Sequence, residues 1–143
     1  MTKTKTEQRY YDGLWCGQCE PPKSTGKFKA RYRGIIYISG PMGIHMTTDW
    51  NFSAFHRAAH HLRKHGFVVI NPAELDGGGT GRSWSYYIER DKKELCKADA
   101  IVLLPRWKES LGVAAELKEA EKYNIPVHTM AEFKRRFCSC RIK

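Results

Sequence analysis

Two carboxylates in this chain sit where carboxylates usually do not. They are Asp91 in "SWSYYIERDKKELCKAD" and Glu116 in "SLGVAAELKEAEK". Asp91 comes three residues after Ile88 and four before Leu95, on a stripe shared with Trp84 and Ala98, while Glu89, Arg90, Lys92 and Lys93 are expected to face elsewhere. Glu116 comes three residues after Val113 and four before Ala120, with Lys118, Glu119, Glu121 and Lys122 on the outer face. A carboxylate turned inward is costly unless it has a partner or a task. Each acid alone could be structural, bonded to backbone or to an arginine. Two of them, from helices flanking one strand, favour a site. Paired carboxylates suit glycosidic chemistry, in which one stabilises or traps a sugar cation while another group helps the leaving group depart. Gly112, Ala114 and Ala115 would let a sugar approach the helix closely. Ser110, at the helix start, can serve as an ordinary N-cap. With the free N–H groups behind it, it can also hold an anion such as phosphate.

These acids need a frame, and the order of elements supplies one. "GIIYIS" (34–39), "FVVINP" (67–72), "DAIVLLP" (99–105) and "IPVHTM" (125–130) read as strands, the first as a short apolar run buried on both faces. Helices are expected over about 50–65, 83–97 and 110–124, with a short one at "AEFKRRF". Phe52, Phe55, Ala59 and Leu62 form the apolar face of the first helix, Asp49 or Thr48 can cap it, and Gly66 ends it. Strands alternating with helices predict a doubly wound, flavodoxin-like (Rossmann-like) parallel sheet of four to five strands. In such folds ligands bind beyond the carboxyl ends of the strands. That edge would carry the loops 40–49, 71–83 and 105–110.

The 143 residues suit one domain with a real core. A mean hydropathy of −0.58 is that of a water-soluble chain. "MTKTKTEQRYYDG" lacks an apolar centre, and the longest apolar run is too short to cross a bilayer, so a cytoplasmic protein with no membrane segment is expected. The net charge of +10 belongs to the ends. Residues 1–33 carry eight Lys/Arg against three acids and residues 131–143 carry five against one, whereas 34–130 are nearly balanced. The chain therefore divides into a basic N-terminal extension (1–33), an α/β domain (34–130) and a basic C-terminal extension (131–143). The extensions could contact nucleic acid or remain solvated termini.

Within the central domain, "IYISGPM", "VVINPAEL" and "WSYYIERDKKELCKADAIVLLPRWKESLGVAAELKEAEKYNIPV" resemble the nucleoside 2-deoxyribosyltransferase superfamily, most closely its small phage and bacterial domains of unknown function. The 2'-deoxynucleoside 5'-monophosphate N-hydrolases are similar too. The resemblance covers about residues 34–128. It implies cleavage of the N-glycosidic bond of a deoxynucleoside or its monophosphate, with no cofactor for the catalysis. Glu116 matches the catalytic glutamate that attacks or stabilises C1', and Asp91 the aspartate that contacts the sugar or handles protons for the departing base. Tyr37 matches the tyrosine of the first strand, near the catalytic acid. Ser110 matches a serine that binds the 5'-phosphate, and Ser39, Gly40, Pro41, Met42 and Gly43, with Gly112, would surround the nucleotide. The first loop, "GPMGIHM", lacks the arginine of the monophosphate hydrolases, for which His45 or Arg82 could substitute. The resemblance also implies a homodimer or larger assembly. The alternative from another class is a non-catalytic nucleotide-binding or nucleic-acid-binding module using the same pocket and the basic ends.

Several other signals have plainer readings. "GGGTGRS" lacks phosphate-loop spacing and follows the second strand, so it reads as a lid. His56 and His60 are four apart but share a face with Arg63 and Lys64, which indicates surface. Trp50 and Trp107 could stack on a base or simply pack. Cys96 reads as a structural thiol. Cys16 and Cys19 form CxxC, and Cys138 and Cys140 form CxC. These four thiols could build a tetrahedral structural zinc site at the edge opposite the pocket, or remain reduced and unliganded.

Overall fold

In the computed structural model, which describes residues 34–43 and 49–138, the first apolar run becomes β1 (Ile35–Ser39). It is followed by α1 (Phe52–Lys64), β2 (Val68–Ile70), a 3₁₀ segment (Pro72–Gly78), α2 (Trp84–Leu95) and β3 (Ala100–Leu103). A 3₁₀ turn (Trp107–Glu109), α3 (Leu111–Lys122), β4 (Val127–Thr129) and the short α4 (Met130–Phe133) complete the order, with a π-helical turn over Lys134–Cys138. The four strands form one all-parallel sheet in the order β2-β1-β3-β4. This is the α/β flavodoxin-like arrangement expected from the alternation of strands and helices. The chain leaves β1 toward β2 on one side and later returns to β3 on the other. The switch point of the sheet therefore lies between the ends of β1 and β3.

Alternate residues of the central strands feed two cores. Ile36, Ile38, Ala100 and Val102 pack with Phe55, Ala59 and Leu62 of α1 and with Phe133. Tyr37, Ile101 and Leu103 pack with Leu95 of α2 and with Val113 and Ala120 of α3. Burying each large apolar side chain contributes about 1.5–3 kcal/mol, so these two layers hold the helices against both faces. β1 and β3 are buried on both sides, as continuous apolar runs require, whereas the edge strands keep Val68 and Val127 exposed. Phe133 is fully buried, its ring 5.2 Å from that of Phe67, so α4 contributes to the core.

The ends of the elements are fixed locally. Asp49 accepts N–H bonds from Asn51 and Ser53, covering donors at the start of α1, although the N-cap position itself is Asn51. Gly66, with φ 90°, follows the last turn of α1, and its N–H donates to the Arg63 carbonyl. Ser83 and Ser110 cap α2 and α3 by accepting from Tyr86 N–H and Val113 N–H. Thr129 and Glu132 form a reciprocal capping box on α4. Asp99 is buried and accepts the Ile35 N–H at 2.8 Å, which ties the start of β1 to the start of β3.

Candidate active site

A cavity of about 270 Å3 opens beyond the carboxyl ends of β1 and β3. All three expected loops contribute to its wall, through Gly40 and Met42, through Gly79, Thr80 and Arg82, and through Ser110. Both carboxylates line it as well. Asp91 comes from α2 and Glu116 from α3, two helices that pack side by side over β3. Their placement follows from helical spacing: Ile88 and Leu95 bury one stripe of α2, Val113 and Ala120 one stripe of α3, and each acid shares its stripe. Asp91 is 8% exposed and Glu116 5%.

Tyr37 and Ser39 alternate onto the same face of β1 and lie fully buried behind the acids, outside the cavity lining. Among the described residues, Tyr37 Oη, Ser39 Oγ and Glu116 Oε2 each lack a hydrogen-bond partner of good geometry. They are nonetheless close neighbours, because both hydroxyls favour the charged form of Glu116. Three polar groups buried together, with one another as neighbours of weak hydrogen-bond geometry, are an expensive arrangement for a core.

Burial pushes the Glu116 pKa up to about 8; the nearby Asp91 charge adds to this, while Tyr37, Ser39 and Arg90 oppose it. Burial also pushes Asp91 up, to about 6, against the pull of Arg90. The Tyr37 hydroxyl is raised well above its ordinary value, by burial first and then by the Glu116 and Asp91 charges. Burial therefore holds the Glu116 proton more tightly than the Asp91 proton, so that Asp91 ionises first. Two carboxyls whose surroundings hold their pKa values apart can divide acid and base roles between them.

Arg90 corrects the sequence reading. It does not face elsewhere. Its side chain is 12% exposed and its Nη2 lies 2.9 Å from Asp91 Oδ1, to which Nε also donates. It donates as well to Asp76 Oδ2 at 3.3 Å and to the Pro72 carbonyl, so one guanidinium joins Asp91 to the 72–83 segment. The segment is held further by Tyr86 Oη donating to Asp76 and by Arg82 N–H donating to Tyr87 Oη. Helical periodicity places residue 90 off the apolar stripe, and nothing local signals that the neighbouring loop folds over it.

Trp84 is a second correction. At the first position of α2 it has passed the sheet edge, so it is 59% exposed and lines the cavity instead of joining the core stripe. Cys96 is a third: the thiol is exposed and donates to the Lys93 carbonyl. Of the first-loop residues, Gly40 and Met42 line the cavity, and a Cβ on Gly40 would meet the Leu104 side chain at 2.8 Å. Pro41 and Gly43 brace the loop, through the Pro41 carbonyl to Asn51 and the Gly43 N–H to the Trp50 carbonyl. Ser110 and Gly112 line the cavity, and so does Arg82, whereas His45 lies outside the described residues. His56 and His60 are exposed, Trp107 packs on the core, and Trp50 lines the cavity. Phe52 and Phe55, expected only as core residues of the first helix, also line the cavity, as does Thr80.

The zinc expectation falls on Cys16, Cys19 and Cys140, which lie outside the described residues, and on Cys138, which ends the π-helical turn. Among the described residues, no group of three or more His, Cys, Asp or Glu could hold a metal, and no helix is long and apolar enough to cross a membrane.

Fold and site together define a doubly wound α/β domain with a carboxyl pair in a cavity at its switch point. The chain belongs to the family described as a domain of unknown function, DUF4406, whose model matches residues 35–129. No curated protein and no solved structure matches it.

Proposed function

We propose that the protein is a nucleotide N-glycosidase or deoxyribosyltransferase, acting on a 2'-deoxynucleoside or its 5'-monophosphate. The observation that carries this reading is Glu116, a carboxyl buried beside the Tyr37 and Ser39 hydroxyls and lining a cavity shared with Asp91. The motif resemblance of residues 34–128 supports the choice of bond.

The proton count fits the reaction. As the C1'–N bond lengthens, its electron pair goes to the base nitrogen and positive charge grows on the sugar. That charge favours ionised Glu116. The proton leaves for Asp91 and passes to the departing base, and the Glu116 carboxylate stabilises or captures C1'. Water, or a second base in the transferase variant, then takes the sugar, and the freed proton returns to the pair. Arg90 orients Asp91. Tyr37 and Ser39 offer hydroxyls to the Glu116 carboxylate at the moment it forms. Gly112 leaves the wall of α3 open beside the acid.

The test is incubation with a panel of deoxynucleosides and their 5'-monophosphates, with detection of free base, using Glu116→Ala as control. Base release by the wild type alone supports the assignment. Tight binding without release, equal in both proteins, assigns the cavity to a non-catalytic binding module instead.

A further inference from the structure

Trp50 and Asn51 are consecutive non-glycine residues in the left-handed region, with φ 61° and 67°. Asparagine visits this region readily. Tryptophan does not, and the conformation costs about 1–2 kcal/mol. Several bonds hold it there: Asn51 Nδ2 donates to the Pro41 carbonyl at 2.8 Å, Gly43 N–H donates to the Trp50 carbonyl at 3.2 Å, and Asp49 accepts from Asn51 N–H and Ser53 N–H. A turn alone would be better served by glycine at position 50. Among the described residues Trp50 belongs to neither core cluster, so core packing there does not explain its side chain either. What the side chain does is line the cavity.

The cavity has two chemically different sides. Glu116, Asp91, Arg90 and Arg82 reach it from α2, α3 and the 72–83 segment. Met42, Trp50, Phe52 and Phe55 reach it from the β1–α1 side, where no charged residue lines it among the described residues, whereas the aromatic rings of Trp84 and Tyr87 stand on the side that carries the charges. A ligand with its sugar at the carboxyls places an anionic group toward the arginines. Its remaining part then meets the aromatic side across the sheet edge.

We infer that Trp50 is the stacking platform for a planar heteroaromatic leaving group, and that Asn51 is the positioning residue holding it over the cavity. The inference rests on the glycosidase reading for what the sugar does, but stacking itself requires no turnover.

The experiment is calorimetric titration of the full chain with free adenine, cytosine and uracil, and with 5,6-dihydrouracil, whose ring is saturated and non-planar. Wild type is expected to bind at least one planar base, and uracil more tightly than dihydrouracil. Trp50→Ala and Trp50→Gly should weaken base binding by roughly tenfold or more, while Trp50→Phe retains most of it. Trp50→Gly should also raise the melting temperature by relieving the backbone, which separates loss of stacking from loss of fold. Asn51→Gly should keep the turn but, without the bond to Pro41, weaken base binding less than Trp50→Ala does. No binding of any planar base, equal affinity for uracil and dihydrouracil, or a loss confined to Trp84→Ala would overturn the inference. Trp50-dependent base binding with no base release from any deoxynucleotide would leave it standing and remove the glycosidase reading.

Discussion

Replacing Glu116 with glutamine should make the protein more resistant to alkaline destabilisation. In the unfolded chain the carboxyl titrates near 4.5, and in the folded protein burial holds it at about 8. Between these values the unfolded state has lost a proton that the folded state keeps. The raised pKa therefore contributes stability that is fully present below about pH 4.5 and is lost as pH rises toward 8. From pH 5 to 8 the loss is about 3 kcal/mol, taking about 1.4 kcal/mol per pKa unit and allowing for partial ionisation at both ends. Glutamine has no such proton. Its amide shifts stability by a constant amount, but the slope disappears. The assay is urea denaturation of both proteins at pH 5, 6.5 and 8. Groups remote from the pair cancel between the two proteins, so the difference between the two curves reports the loss of the Glu116 carboxyl. That difference should change by about 3 kcal/mol across the window in favour of Glu116→Gln, equivalent to roughly 10 °C in Tm for a chain of this length. Parallel curves would mean that Glu116 ionises as an exposed glutamate does, and a carboxyl that keeps its proton by burial would no longer be available to the mechanism.

If base release requires one proton on the carboxyl pair, kcat/KM should be bell-shaped, with limbs near the Asp91 value of about 6 and the Glu116 value of about 8, as measured with a nucleoside that does not titrate in that range. Arg90→Gln removes the cation that pulls the Asp91 pKa down, so the acid limb should move to higher pH; an unmoved limb would limit Arg90 to bracing the loop. A Cβ on Gly112 would sit 3.5 Å from Ile88 Cδ1, an ordinary contact, so Gly112→Ala should fold normally and gain roughly 0.5–1 kcal/mol from helix propensity. The added methyl narrows the cavity beside Glu116, so KM should rise; an unchanged KM would place the sugar elsewhere.

The parallel sheet and the inward acids were legible because both are written in periodicity. Continuous apolar runs mark buried strands, and spacings of three and four put Asp91 and Glu116 on core stripes whatever surrounds them. Strand length was less legible. β2 and β4 are three-residue edge strands, shorter than their apolar runs, because the chain turns into the 3₁₀ segment at Pro72 after β2 and into α4 at Met130 after β4. Arg90 was misread for a related reason. Its contacts come from a segment more than ten residues away that folds back over α2, and no helical pattern records that. Trp84 obeyed the periodicity but not the prediction, since a stripe is buried only as far as there is a sheet beneath it. Of the left-handed pair Trp50–Asn51, only the asparagine is of a type that favours the conformation, and tryptophan is among the last residues one would assign to it.

The packing of α2 on α3 also acts as a gauge. Ile88 lies one turn before Asp91 and Gly112 one turn before Glu116, and the Ile88 side chain reaches the surface that Gly112 leaves bare. This contact is made one turn from both acids, in the wall of the same cavity. The spacing it sets between the helices bears on the separation of the carboxyls, and with it on the repulsion that helps to hold the Glu116 proton. The acidity of this pair thus answers to an apolar contact in the cavity wall, so a change of one methylene at position 88 would retune the chemistry while leaving every polar residue in place.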